Sequence, residues 1–153
     1  MKSPATFLAL ILLILLSPAL IAQKPSDPKD PGVKQDKQAS HLGTWKLVST
    51  KYGDAKDFTP YREESSRLKI INATHFIWVE VDSKTKNVLA SAGGAYKLDG
   101  LSYTETIDFA GEGMAAYLGK SQKFTIRVDG DKLFQSGELS DGLKIEENWE
   151  RVK

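Results

Sequence analysis

From Gly43 to Lys153 the chain is a succession of short runs in which apolar and polar residues alternate, each closed by turn-forming residues. A period of two belongs to a strand with one buried face, and its repetition leaves little room for any other element. The clearest run puts Leu101, Tyr103, Glu105, Ile107 and Phe109 on one phase and Ser102, Thr104, Thr106 and Asp108 on the other. A second puts Leu143, Ile145, Glu147, Trp149 and Arg151 together, and the run opened by Gly43-Thr44-Trp45 shares Trp45 and Leu47. Further strands are expected over Arg67 to Ile71, Thr74 to Val81, Val88 to Leu98, Gln122 to Val128 and Lys132 to Leu139. Asp82 to Asn87, Asp129-Gly130-Asp131 and Ser140-Asp141-Gly142 read as hairpin turns. The one helix candidate, Gly113 to Leu118, is too short to stand without packing. The pattern predicts an all-β domain, an eight-stranded up-and-down antiparallel β-barrel, which removes exposed sheet edges by closing on itself.

Individual residues refine that barrel. Trp45, near the start of the first strand and beside Gly43, is suited to plug one end, with the glycine admitting close approach of other chain. Gly93-Gly94 interrupts a strand without a following helix N-terminus or a Lys-Ser/Thr, so it marks a bulge or sharp bend and not a phosphate loop. Gly53 to Ser66 is long and polar but carries Phe58 and Tyr61, and it either folds back over the barrel mouth or packs on itself as an Ω-loop.

The front of the chain is different in kind. One Lys, the apolar run from Phe7 to Leu16, Ser17-Pro18 and a small residue at Ala22 form a secretory signal pattern over residues 1–22, with cleavage expected at Ala22-Gln23. Its length also approaches the roughly 20 residues of a spanning helix, which leaves a retained anchor as the competing reading. Residues 23–40 hold three prolines, seven charges and a single Val, too little apolar surface to offset ordering, and are expected to form a disordered linker. The domain then covers 41–153, in a secreted or periplasmic protein with no membrane contact after cleavage. Lys plus Arg number 21 against 20 Asp plus Glu, dispersed in sign, so nothing suggests nucleic acid. There is no cysteine, which excludes disulfides, thiol nucleophiles and lipid attachment.

With Gly43-Thr44-Trp45 at the start and Trp149-Glu150-Arg151-Val152 at the end, the domain resembles lipocalins and fatty-acid-binding proteins, the calycin barrels. The phrases Tyr103-Thr104-Glu105-Thr106-Ile107 and Ser140 to Val152 resemble a bacterial group of secreted lipocalin-like proteins of undefined function. The resemblance implies that Trp45 lies across the barrel base and that Arg151 packs on it.

The inward phases carry polar residues. Glu105, Gln135 and Glu147 would stand among Trp78, Tyr103, Phe124, Leu133 and Trp149. A dry core would penalise each carboxylate by several kcal/mol, so a solvated, partly polar cavity is expected, or else a partner such as Arg127 or Arg151. The residues expected to contact a ligand are Trp78, Tyr103 and Trp149 as apolar walls and Glu105, Gln135 and Glu147 as polar groups. Paired carboxylates raise acid–base chemistry, but no Ser sits in a triad context and His75 lies on the phase opposite Phe76 and Trp78. No catalytic residue, metal site or cofactor is therefore expected. Two functions fit: a barrel binding a small amphipathic molecule, or a non-enzymatic interaction module, inhibitor-like or envelope-associated, that meets a protein partner through its loops.

Overall fold

The computed structural model describes residues 40–153; the expected signal peptide and, apart from Ser40, the expected linker lie outside the described residues. The strands are β1 (Gly43–Tyr52), β2 (Thr59–Pro60), β3 (Ser65–Ile71), β4 (His75–Asp82), β5 (Val88–Asp99), β6 (Ser102–Thr106), β7 (Phe109–Ala110), β8 (Ser121–Asp129), β9 (Lys132–Glu138) and β10 (Lys144–Arg151). Two of them, β2 and β7, are only two residues long. The eight long strands pair antiparallel with their neighbours in sequence, and β10 returns to β1, so the sheet closes.

Turn chemistry fixes the hairpins at one end. Gly130 and Gly100, at φ +57° and +58°, each take the first place of a two-residue loop, the left-handed position that suits glycine. Between β3 and β4 the Asn72 side chain accepts hydrogen bonds from the backbone N–H of Thr74 and His75, holding an exposed Asx turn. The connections at the other end are longer. The expected helix is a 3-10 turn, Glu112–Tyr117, lying between β7 and β8.

Gly93-Gly94 stands where β5 exchanges partners, pairing with β7 at Gly93 and with β6 from Tyr96. A Cβ on Gly94 would lie 2.0 Å from the carbonyl oxygen of Thr106, so the bend depends on the missing side chain.

β1 pairs with β3 only over Gly43–Lys46, and the little strand β2 then takes the vacated side at Ser49 and Thr50. No residue of the connecting loop from Gly53 to Ser66 lines the interior cavity. Tyr61 is held beside β1 by its backbone N–H to Val48 O and packs against the core, whereas Phe58 is exposed near Lys51.

A bulge separates Leu47 from Ser49 in the β1–β10 ladder. It reverses the strand's phase: Trp45 and Leu47 are buried, and beyond the bulge Thr50 faces Glu147 and Tyr52 faces Ile145. Three residues expected inward, Leu101, Phe109 and Leu143, are exposed, because Leu101 lies in the Gly100 turn, Phe109 belongs to β7 and Leu143 precedes β10.

Candidate functional site

The interior divides along the barrel axis. At the end where β1 begins, Trp45, Leu47, Ile71, Phe76, Tyr103, Leu133 and Trp149 are all buried. Arg151 closes that floor from outside. Its guanidinium carbon lies 4.1 Å from the centre of the Trp45 ring, and it donates to the carbonyls of Leu42 and Ser40 at 2.8 and 2.6 Å. A Cβ on Gly43 would stand 2.5 Å from Arg151 Nη1, so this glycine makes room for a side chain and not, as the sequence suggested, for other backbone. Trp45 Nε1 donates to His41 O at 2.8 Å, and Tyr96 Oη, which donates to Asn72 O, lies 2.9 Å from His41 Nε2. Burial holds the His41 imidazole below its usual pKa.

The other half encloses a cavity of about 220 Å³. Aromatic and aliphatic side chains make most of its wall, including Tyr52, Trp78, Phe124 and Trp149, with Met114 and Tyr117 of the 3-10 turn and Leu139 and Leu143 of the β9–β10 loop at its mouth. Of the six residues expected to contact a ligand, Trp78, Glu105, Gln135, Glu147 and Trp149 line it. Tyr103 does not: it lies toward the floor, fully buried, its ring 4.9 Å from that of Tyr96.

Two cations meet the carboxylates here, and neither is Arg127 or Arg151. Lys69, 1% exposed, donates at 2.7 Å to Glu105 Oε1 and at 2.7 Å to Gln135 Oε1. Its ammonium also stands 5.4 to 6.0 Å from the ring centres of Trp149, Phe76, Tyr103 and Phe124, close enough for cation–π attraction. Arg67 donates to Glu80 Oε2 at 2.6 Å, lies 3.7 Å from Glu147 Oε1 and stacks 4.7 Å from the Trp78 ring centre. Arg127 instead lies outside, over Phe134 and near Asp129, and Arg151 serves the floor. Glu105 and Glu80 are thus each paired with a side-chain cation, the alternative to hydration that the sequence offered, but with Lys69 and Arg67 in place of Arg127 or Arg151.

Electrostatics follows these contacts. Burial pushes the Glu105 carboxyl above its ordinary range, and the adjacent Lys69 pulls against that push. Glu80 is also penalised by burial, but hydrogen bonds from Arg67 and Ser65 outweigh it and hold its pKa below the usual value. Glu147 accepts from Tyr52 Oη at 2.5 Å and from Trp149 Nε1 at 3.2 Å. Burial and the Glu147 charge together keep the Tyr52 phenol protonated far above its ordinary pKa.

Sequence reasoning missed Lys69, Arg67, Glu80 and Tyr52. Lys69 and Arg67 alternate with Leu68 and Ile70, which invite the opposite phase. The hairpin register carried the signal. Once Phe76 and Trp78 face inward, pairing across Asn72-Ala73-Thr74-His75 puts Ile71 opposite Phe76, Lys69 opposite Trp78 and Arg67 opposite Glu80. Tyr52 was hidden by the bulge.

No family model matches the sequence, and no curated protein does. Among solved structures, a lipocalin-like protein from Bacteroides uniformis shares the fold at a TM-score of 0.54 and 14% identity, over 72% of this chain and 97% of that one. An uncharacterized protein from Bacteroides eggerthii does so at 0.51 and 12%, over 72% and 98%. At such identities the likeness is one of architecture alone, and the architecture of this chain is a closed, eight-stranded antiparallel barrel of lipocalin-like fold.

Proposed function

We propose that this barrel is a secreted or periplasmic binding protein, without catalytic activity, that holds a small amphipathic molecule in its interior. The observation that carries the reading is the cavity of about 220 Å³, in which aromatic walls converge on a few ionisable and amide groups. That composition is the usual one for ligand sites, where apolar surface supplies affinity and a few polar groups fix orientation. The volume lies below the roughly 300–1,000 Å³ of drug-sized pockets, which argues for a compact ligand and against a long acyl chain or retinoid. Native mass spectrometry of protein purified from its own host tests the proposal. A co-purifying mass lost on Trp78→Ala supports it. An empty wild-type barrel that also fails to bind small amphiphiles in solution would sink it.

A second reading, an interaction module, draws on the outer wall. Exposed Ile70 and Ile77 pair across β3 and β4, and exposed Phe109 lies over Gly93, the partner of Ile77 on β5. Such a contiguous apolar strip suits a protein contact. Unchanged partner capture by a Phe109→Ser/Ile77→Thr variant would remove this reading.

A further inference from the structure

The charges inside the barrel do not balance, and the imbalance bears on which amphiphile the cavity accepts. Among the described residues, three carboxylates, Glu80, Glu105 and Glu147, are 5% exposed or less, against two interior cations, Arg67 and Lys69. Lys69 is committed to Glu105 and Gln135. Arg67 is committed first to Glu80, at 2.6 Å, and reaches Glu147 only at 3.7 Å. Arg62 also contacts Glu80, at 2.8 Å, but its side chain is 63% exposed and acts from the solvent side, where water screens it. Nε of Arg67 is buried without a hydrogen-bond partner. Glu147 therefore keeps two neutral donors, Tyr52 Oη and Trp149 Nε1, and a share of a cation whose shorter contact is elsewhere.

Glu105 and Glu147 both line the cavity, and Glu147 is among the charges that raise the Glu105 pKa. A carboxylate brought into this space would face two more carboxylates with both interior cations already engaged. An ammonium would supply the missing positive charge and find Trp78, Phe124 and Trp149 around it, rings whose faces attract cations. Resting on the proposal that the cavity holds a ligand, we infer that its preferred occupant is a small amphipathic primary amine, its ammonium drawn to Glu147 and Glu105 and its apolar body against the aromatic wall.

The test uses three probes with one body and three head groups: 2-phenylethylamine, 2-phenylethanol and 3-phenylpropionate, titrated at neutral pH by ligand-observed NMR and tryptophan fluorescence. The amine should bind tightest and the carboxylate at least about tenfold more weakly, since like-charge juxtaposition in a partly desolvated site is costly. Glu147→Gln should lower amine affinity by about tenfold and leave the alcohol within about twofold, because only the charged head group uses the carboxylate. Equal or tighter binding of 3-phenylpropionate by the wild-type protein would overturn the charge inference while leaving the cavity reading intact. Binding of none of the three would overturn both. Because the head-group ranking is read on the wild-type protein, the outcome does not depend on Glu147→Gln folding normally.

Discussion

The floor and the upper half of the barrel are built on the same strands by different means. On β10 the inward sequence runs from Trp149 in the floor to Glu147 above it; on β4 from Phe76 through Trp78 to Glu80; on β3 from Ile71 through Lys69 to Arg67. The floor is stabilised by removing large apolar surface from water, about 25 cal/mol per Å². The upper half instead withdraws charges from water and must compensate each one locally, a geometry that contributes little net stability but leaves a hollow that side-chain collapse does not fill. The cavity lies where it does for that reason: ion pairs hold their partners at fixed separations, and the aromatic walls stand back around them.

Substitutions can probe this contrast, beginning with the two largest effects. Trp45→Ala empties the floor and should destabilise the domain by about 3–5 kcal/mol in denaturant melts. Lys69→Met should cost a comparable 3–5 kcal/mol or so for a different reason, since it strands Glu105 as an uncompensated buried charge. The double variant Lys69→Met/Glu105→Leu separates the two mechanisms. Removing both charges should restore most of the loss, whereas no second substitution of a charged residue should rescue Trp45→Ala. If the double variant is as unstable as Lys69→Met alone, the upper half is held by packing like the floor, and the contrast fails.

Arg151→Ala is expected to cost less, about 1–2 kcal/mol for the stacking on Trp45, which lowers the melting temperature by several degrees in a domain of this size. The smallest effects are those of pH, and they carry opposite signs. Glu80 has a depressed folded-state pKa, so its contribution is present above its unfolded value near 4.5 and is lost as pH falls through the folded one. Glu105 has a raised pKa, so stability declines as pH rises from about 4.5 through its folded value. Glu80→Gln should flatten the acid side of the stability profile, and Glu105→Gln the rise in instability above it. Parallel profiles for the two variants would show that they share one environment, contrary to their separate cation partners.

The same contrast explains what the sequence disclosed. Strand number, hairpin turns and closure were legible because side-chain period and turn residues are local properties, as at Tyr103-Thr104-Glu105 or Asp129-Gly130-Asp131. The carboxylates were legible too, being single polar residues on otherwise apolar phases. Their partners were not. On β3 the half-buried Leu68 and the exposed Ile70 mimic a core face, so Lys69 and Arg67 look like surface residues until the β3–β4 register is known. Tyr52 lies beyond a bulge at Val48 that no local pattern announces. Phe58 and Tyr61 fit a loop over the mouth and a loop packed on itself equally well, because aromatic residues in a polar loop call for a buried surface; for Tyr61 that surface lies beside β1, where β3 has parted from it.

The β1–β10 seam has a consequence in time as well as in space. The other long-strand ladders join strands consecutive in the barrel, each able to zip up behind its own connection, but Trp45 meets Arg151 only after nearly the whole domain has been threaded between them. Loop-closure entropy must be overcome before that contact returns anything, which places this domain among the slow, millisecond-to-second folders. Until the two ends meet, β1 and β10 are open edges displaying unpaired backbone beside Trp45 and Trp149. We therefore expect seam substitutions such as Arg151→Ala to speed unfolding and to leave the refolding rate nearly unchanged in stopped-flow chevrons. A newly made chain passes through its most adhesive moment just before its first strand finds its last.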